Sequence, residues 1–532
     1  MISRRNGCEL MAIDYELKEN RAINAARNTI VGFLYVIIVT VCPFVVRTIM
    51  GNTLGTQYLG LNSVFASIIQ ILNIAGFGFG SVIVYFLYKP AAEGNDSLVA
   101  AYLRYLKKIY AYIGIGIIIC GIAVLPFLHM IAGEESSIKE NIHLLFLVFV
   151  LGSALSYFVF PEIEIYIIAY QRNDLNNTFA IISWSVTYII QIVGLIVFKS
   201  YYVYVVTISI QIVLCGCLRR HWGKHVIEME KAGGMLPNTE KKAILKRTAA
   251  MIGHTLDVQL INGIDSVVIS IICGLTSAAV YGNYFIVFSS ITMVTDVIYQ
   301  AVQASIGNAV AVEEGKENIL RFRCLFWLST CLGGLFGIIM LCTYQTFMKL
   351  WMPNLVDTSN LYIVICIYFY ISQMRKPITV FKNAGGMWEE DKYKPYVAVI
   401  VNLILDIVLI RKYGINGAIT ASIITIILVE MPWETYILFK QYFKIEKRIY
   451  LRDAIMYGAV NLLLAVIIKY LIWNINIEPG IISLIICAAI SMLGSLTGYI
   501  LIYRKTEVFE VWRKTLFEIG IGLIKKKRRS DV

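Results

Sequence analysis

The feature that most constrains this sequence is the recurrence of long apolar runs, each about the length of a bilayer-crossing helix, separated by short charged segments. A hydrocarbon core about 30 Å thick takes roughly 20 residues of helix. Fourteen runs have that character: 29–49, 62–87, 110–131, 142–168, 178–198, 201–218, 249–273, 278–305, 324–346, 361–384, 395–410, 415–439, 454–473 and 480–503. Composition points the same way. Of 532 residues, 58% are hydrophobic and 15% charged, and mean hydropathy is +0.71, whereas a soluble chain holds about 45–50% apolar and about 25% charged residues. Soluble multidomain, disordered, collagen-like and coiled-coil classes are excluded. The expected fold class is an all-α polytopic membrane protein with about fourteen transmembrane helices.

Charge sets the expected orientation. With the N-terminus inside, 40 of the 47 Lys and Arg residues fall in segments on the cytoplasmic side. The exceptions are Arg47, Lys139, Lys199, Lys349, Arg411, Lys412 and Lys469. This asymmetry predicts a multi-pass membrane protein with both termini cytoplasmic. It also assigns the net charge of +12 to topology and anionic lipid, leaving no need for nucleic acid. The first apolar run follows about 28 polar residues and is too long for the core of a cleaved signal peptide.

The domain organisation follows from the charged breaks. Residues 1–28 read as a cytoplasmic N-terminal segment, 29–218 as a six-helix lobe and 219–248 as a charged cytoplasmic linker. Residues 249–439 read as a second six-helix lobe, 453–503 as an extra helix pair and 504–532 as a basic amphipathic tail on the inner leaflet. YLGLNSVFASI at 58–68 aligns without gaps on YGNYFIVFSSI at 281–291, with five identities. These segments open the second and eighth spans, so the lobes are expected to be parallel pseudo-repeats about an axis along the membrane normal. No G-x-x-x-x-G-K-[ST] loop and no soluble-domain-sized segment occur, which excludes an ATP-driven pump in one chain. Nearly all of the eleven cysteines lie in apolar runs, where they act as small hydrophobes. The Cys215/Cys217 and His221/His225 pairs lack the further ligands a metal would need. No cofactor is expected.

Polar groups inside the spans carry the functional signal, because an ionisable side chain at mid-bilayer costs at least about 2.5–3.5 kcal/mol. Asn62, Ser63, Ser67, Gln70 and Asn73 share one face of the second span, within about 140° at 100° per residue. His254, Asp257, Asn262 and Asp265 form a similar stripe on the seventh. Ser289, Thr292, Asp296, Tyr299 and Gln303 recur at three- and four-residue spacing on the eighth, and Arg47 lies near the outer end of the first. Such groups either line a wet cavity or join helices by hydrogen bonds. Asn402 and Asp406 stand at i, i+4 on the eleventh span. Together with Asp265 or Asp257 they have the oxygen chemistry to couple to Na⁺ or a proton, although an Asn–Asp pair can also cap a backbone defect. Arg375, Lys376 and Lys382 gather at the inner end of the tenth span. The positive-inside rule or an anionic headgroup would account for them equally. Glu162, Glu164, Glu430 and Glu434 fall near inner span ends, where carboxylates are also common at the interface.

Several blocks resemble a known family. VRTIMGNTLGTQYLGLNSVF, GFGFGSVIVYFLYKPAAEGN, SYFVF and AYQRND in the first half are similar to the first lobe of bacterial polysaccharide-repeat flippases, of the O-antigen and capsule type. These belong to the multidrug/oligosaccharidyl-lipid/polysaccharide exporter superfamily. IDSVVIS, YGNY, SIGNAVA, KLWMPN, FKNAGGMWEEDKYKP, NLILDIVLIRKYGINGAITASI and EMPWETYILFKQYF continue the likeness, which covers most of residues 20–445. There are departures. Relatives often have an acidic residue near the position of Gly76, and a basic residue is common where Glu162 and Glu164 stand here. The resemblance implies two six-helix lobes around a central cavity lined chiefly by the first, second, seventh and eighth helices. Those spans carry Arg47 and the polar stripes.

The resemblance implies a flippase of the bacterial inner membrane that carries undecaprenyl-pyrophosphate-linked oligosaccharide repeat units from the inner to the outer leaflet by alternating access. Expected substrate contacts are Arg47, Asn62, Gln70, Asn73, Asp296, Gln303, Arg375 and Lys376. Expected coupling residues are Asp257, Asp265, Asn402 and Asp406. Partners would be the lipid-linked substrate, membrane lipids, and a polysaccharide polymerase with its chain-length proteins. Two alternatives stand beside this. A multidrug/cation antiporter of the same fold would want a compact, acidic, aromatic-lined pocket. A membrane polymerase or glycosyltransferase would want a large outward loop, and the outward loops here are about 4 to 14 residues long.

Overall fold

The computed structural model describes residues 21–132, 138–232, 234–312, 316–387, 389–475 and 478–513. Every regular element among them is helical. Lipid imposes this, because only a helix or a closed barrel satisfies its own backbone hydrogen bonds away from water. Nine of the described helical stretches are long and apolar enough to cross a membrane. The chain is therefore the all-α polytopic membrane protein that its sequence predicts.

The chain divides into two compact units, Met1–Gly282 and Asn283–Val532. The first holds α1 (Arg21–Thr53), α2 (Thr56–Leu72), α3 (Ile74–Glu93), α4 (Asp96–Val124), α5 (Leu128–Ala132), α6 (Ile142–Leu155), α7 (Pro161–Ala169), α8 (Asn173–Phe198), α9 (Tyr201–Trp222), α10 (Lys224–Ala232) and α11 (Asn238–Cys273). It ends inside α12 (Leu275–Val312). The second unit continues through α13 (Lys316–Trp351), α14 (Leu361–Ala384), α15 (Lys394–Tyr413), α16 (Ile415–Thr425), α17 (Met431–Tyr436), α18 (Arg448–Ile475) and α19 (Ile481–Tyr503).

Two of the apolar runs are interrupted by non-helical residues. The run at 62–87 breaks at Asn73, between α2 and α3. The run at 142–168 breaks over 156–160, where Phe160 takes a left-handed φ of 55°. Pro161 then opens α7 at a position where its missing N–H is no loss. The side chains of Asn95 and Asn141 accept the N–H groups of Leu98 and Leu144, each at 3.1 Å. These caps satisfy donors that the first turns of α4 and α6 leave over. Gly60 lets α2 cross the start of α12, since a Cβ there would stand 1.9 Å from the carbonyl oxygen of Leu275.

Among its described residues, the 219–248 stretch, expected as a linker, is helical apart from the turn at Gly223 and residues 234–237, and belongs to the first unit. Val226, Leu236 and Ile244 are buried with Val82, Leu87, Val99, Leu103 and Ile163. Lys107 Nζ reaches Glu162 at 3.1 Å and Glu230 at 3.2 Å, and Tyr102 OH donates to Glu240 at 2.9 Å. Apolar residues spaced through a charged sequence are buried in one cluster, and ion pairs and hydrogen bonds flank it.

In the second unit, the rings of Phe322, Phe326, Phe381, Phe439, Phe443 and Tyr450 pack together at the base of α13. The extra pair, α18 and α19, is joined to that unit by polar contacts. Asn461 Oδ1 accepts from Tyr499 OH at 2.6 Å, and its Nδ2 donates to Tyr370 OH at 3.2 Å. One contact also recurs between the two halves. Phe65 on α2 packs edge-on to Phe146 of α6, and its counterpart in the sequence repeat, Phe288 on α12, packs edge-on to Phe369 of α14. Each pair joins the second and fourth spans of its half.

Candidate functional site

The first unit gathers its membrane-embedded polar side chains near the outer end of α1. Arg47 Nη2 donates to Ser63 Oγ at 3.2 Å, and Gly282 lies against the same guanidinium, 3.3 Å from where its Cβ would be. Asn62 is buried beside them and accepts from Tyr201 OH at 3.1 Å. Tyr201 and Tyr204 stack at 5.5 Å, and both are electrostatic neighbours of Arg47. The cluster holds one cation, an amide and several hydroxyls, a set suited to phosphate and sugar oxygens. Next to Gly282 in sequence, Tyr281 OH donates to Asp265 Oδ2 at 2.9 Å, and Asp265 is 1% exposed. Beyond the outer end of the span, Tyr58 OH donates to Glu140. Burial and that hydrogen bond push the Tyr58 hydroxyl up to about 12, so it remains a donor at every physiological pH.

Asn73 sits at the α2–α3 break. Its side chain exchanges hydrogen bonds with Ser153 Oγ at 3.0 and 3.3 Å, so it joins α2 to α6. Gln70 is half-buried one turn earlier. The side chains of Asp257 and Gln303 lie outside the described residues.

In the second unit, Asp296 and Lys376 form an ion pair, each about one-third exposed. Arg375 is bound differently. Its Nε and Nη2 form a two-pronged contact with Glu434, each at 2.9 Å, and Nη1 reaches Glu430. Glu434 also accepts from Lys382 at 3.0 Å and Lys394 at 2.6 Å, and Asp391 pairs with both lysines. Three cations thus face three carboxylates, nearly all of them buried. Sequence reading placed Arg375 and Lys382 in one group and Glu430 and Glu434 in another, and the fold brings the two together. Asp391 and Lys394, from the DKYK turn, were not anticipated. A lone charge in that interior would be prohibitive, so the compensating acids and bases had to come from one neighbourhood.

Near this network, π-helical turns at Ile426–Glu430 and Ile437–Tyr442 flank α17. They widen the helix around Pro432, whose missing N–H would otherwise break the ladder. Further along α15, Asn402 and Asp406 are 1% and 0% exposed. Asn402 Nδ2 lies 3.5 Å from Ser422 Oγ of α16. Asn402 Oδ1 is buried with no hydrogen-bond partner among the described residues.

A feature absent from the sequence reading is a cavity of about 540 Å³ in the first unit. Its walls include Ser81, Tyr85 and Tyr88 of α3, Tyr110 of α4, Tyr157 at the α6–α7 break and Glu164 of α7. The GFGFG segment shapes it. A Cβ at Gly76 would meet Tyr157 OH at 2.1 Å, and one at Gly80 would meet Tyr110 OH at 2.8 Å. The usable signal was the i, i+4 spacing of Gly76 and Gly80, which puts both on one face of α3.

No protein-family model matches the chain, and no curated protein does. Solved structures do match. A structure described as lipid II flippase MurJ in an inward closed conformation aligns with a TM-score of 0.60 over 90% of this chain and 98% of its own, at 13% identity. An inward-facing multidrug resistance MATE family transporter of the MOP superfamily aligns with a TM-score of 0.55 over 76% of this chain and 98% of its own, also at 13% identity. This chain therefore has the fold that those two membrane transport proteins share.

Proposed function

We propose that the protein is a flippase for lipid-linked oligosaccharides, moving undecaprenyl-pyrophosphate-linked repeat units from the inner to the outer leaflet of a bacterial inner membrane. The observation that carries this reading is Arg47, a guanidinium on a membrane-spanning helix set among Ser63, Asn62, Tyr201 and Tyr204. Turning the substrate over means carrying a diphosphate and several sugars through about 30 Å of hydrocarbon. A guanidinium for phosphate and hydroxyls and amides for sugar lower that barrier, while the lipid tail stays in the bilayer. The two aligned structures are described in inward states, and rocking of two lobes would supply alternating access. No bond is made or broken, so the protein is a transporter and not an enzyme. Asp265 in the first unit and, separately, Asn402 and Asp406 in the second have the oxygen chemistry for Na⁺ or proton coupling. A polymerase and its chain-length proteins would take the product on the outer face.

A multidrug/cation antiporter is the second reading, favoured by the likeness to a structure described as a multidrug resistance MATE family transporter. Deleting the gene and weighing lipid-linked intermediates separates the two. Undecaprenyl-linked repeat units are expected to accumulate on the inner leaflet. Normal intermediates with altered drug sensitivity would establish the antiporter.

A further inference from the structure

The cavity between α3, α4 and α7 has no role in the cluster around Arg47, and its chemistry is specific. At about 540 Å³ it falls within the roughly 300–1,000 Å³ typical of small-molecule sites. Two of its tyrosines are fixed by the wall. Tyr157 OH lies 3.5 Å from the carbonyl of Asn73, and Tyr110 is seated against Gly80. The other two present themselves. Tyr85 is 57% and Tyr88 47% exposed, and neither hydroxyl has a hydrogen-bond partner among the described residues.

Charge decides the ligand class. Glu164 alone would favour a cation, but Arg219 Nη1 holds its Oε2 at 2.9 Å. Arg247 lies over the Tyr85 ring at 4.6 Å from its centre. The carboxylate is therefore balanced and the aromatic face of Tyr85 already has its cation, which removes the two attractions an organic cation would use. A hydrocarbon chain fits no better, since it would leave the hydroxyls of Ser81, Tyr85 and Tyr88 unpaired. Aromatic faces flanked by hydroxyls and a held carboxylate match an uncharged saccharide. Its C–H faces lie on rings, and its hydroxyls find both donors and acceptors.

We propose that this cavity binds the saccharide portion of a glycolipid. The inference rests on the lipid-linked oligosaccharide reading above and adds a sugar subsite in the first unit, apart from Arg47. By the positive-inside count, the inner ends of α3 and α7 that line it lie toward the cytoplasmic leaflet, where such a substrate is made.

The test uses the full-length protein in nanodiscs of phosphatidylethanolamine and phosphatidylglycerol, with a diazirine-bearing decyl maltoside as photoprobe and peptide mapping by mass spectrometry. Labelling is expected within 76–88 and 157–168, and it should fall roughly tenfold in Ser81→Trp, which fills the cavity. If Ser81→Trp does not survive size-exclusion chromatography, Tyr88→Ala removes an exposed, unbonded ring and should give the same loss. Three results would overturn the proposal: equal labelling by a sugar-free decyl diazirine, competition by ethidium but not by maltose, or maltoside labelling elsewhere only. The gene deletion keeps the two readings apart. Accumulated lipid-linked repeat units without maltoside labelling defeat the cavity assignment alone. Labelling with normal intermediates leaves a sugar-binding cavity and defeats the flippase.

Discussion

Arg47 and Lys376 are both cations on membrane-spanning helices, yet their surroundings differ. Lys376 pairs with Asp296, and Arg47 donates to the Ser63 hydroxyl beside the bare backbone at Gly282. A planar guanidinium can hold a phosphate through two parallel hydrogen bonds, and an ammonium cannot reproduce that geometry. Arg47→Lys should therefore cut glycolipid transport by about tenfold or more at unchanged membrane abundance. Retained transport in a complementation assay would make Arg47 a depth anchor. Asp406→Asn preserves shape beside Asn402 and Ser422 while removing a charge. It should leave the protein inserted but weaken the dependence of transport on the Na⁺ or proton gradient, measured in vesicles with the gradient collapsed. Arg47, Asn62, Asp265 and Asp406 were legible in the sequence because a polar group inside an apolar run is costly and must be answered. Tyr85, Tyr88, Tyr110 and Tyr157 were not. Tyrosine fits lipid, interface and core equally well, and only the fold shows which rings converge.

Among the elements, spans were easier to find than their interruptions. The breaks at Asn73 and Phe160 lie within apolar sequence, and the contacts beside them are tertiary: Asn73 bonded to Ser153, and Gly76 of α3 pressed on Tyr157. The ion network of α14, α15 and α17 was half visible, because its cations and acids were each marked but their meeting was not. The extra pair, α18 and α19, leans on one close approach. A Cβ at Gly334 would stand 1.7 Å from Asn461 Oδ1, the atom that accepts from Tyr499. Gly334→Ala must push Asn461 aside and break that bond, and should lower stability by about 1–3 kcal/mol. Thermal unfolding in detergent will read this directly, with Gly458→Ala, where nothing lies within 4 Å of the added Cβ, as the matched control.

For the whole molecule, the unexpected division is the position of residues 219–248. Sequence reading took charge as the mark of a solvated connector, yet Val226, Leu236 and Ile244 are buried with α3 and α4. Lys107 holds this attachment through Glu162, which is fully buried, and Glu230. Lys107→Ala leaves Glu162 without its cation and should cost up to about 3 kcal/mol, the lower edge for breaking a buried pair, because Lys107 is itself half exposed. Faster tryptic cleavage among Lys241, Lys242 and Lys246 is the expected readout, and unchanged cleavage would show that the apolar contacts suffice.

That attachment also fixes an order of events during synthesis. Chains are made from the N-terminus and domains fold as they emerge. The ribosome delivers α3, α4 and α7 long before Leu236 and Ile244, so until then the nascent first unit exposes Val82, Leu87 and Leu103 at the membrane surface. Its cytoplasmic face closes only when the basic stretch has left the exit tunnel, with the seventh span still being made. Residues that look like a passive spacer complete a buried cluster that α3, α4 and α7 begin.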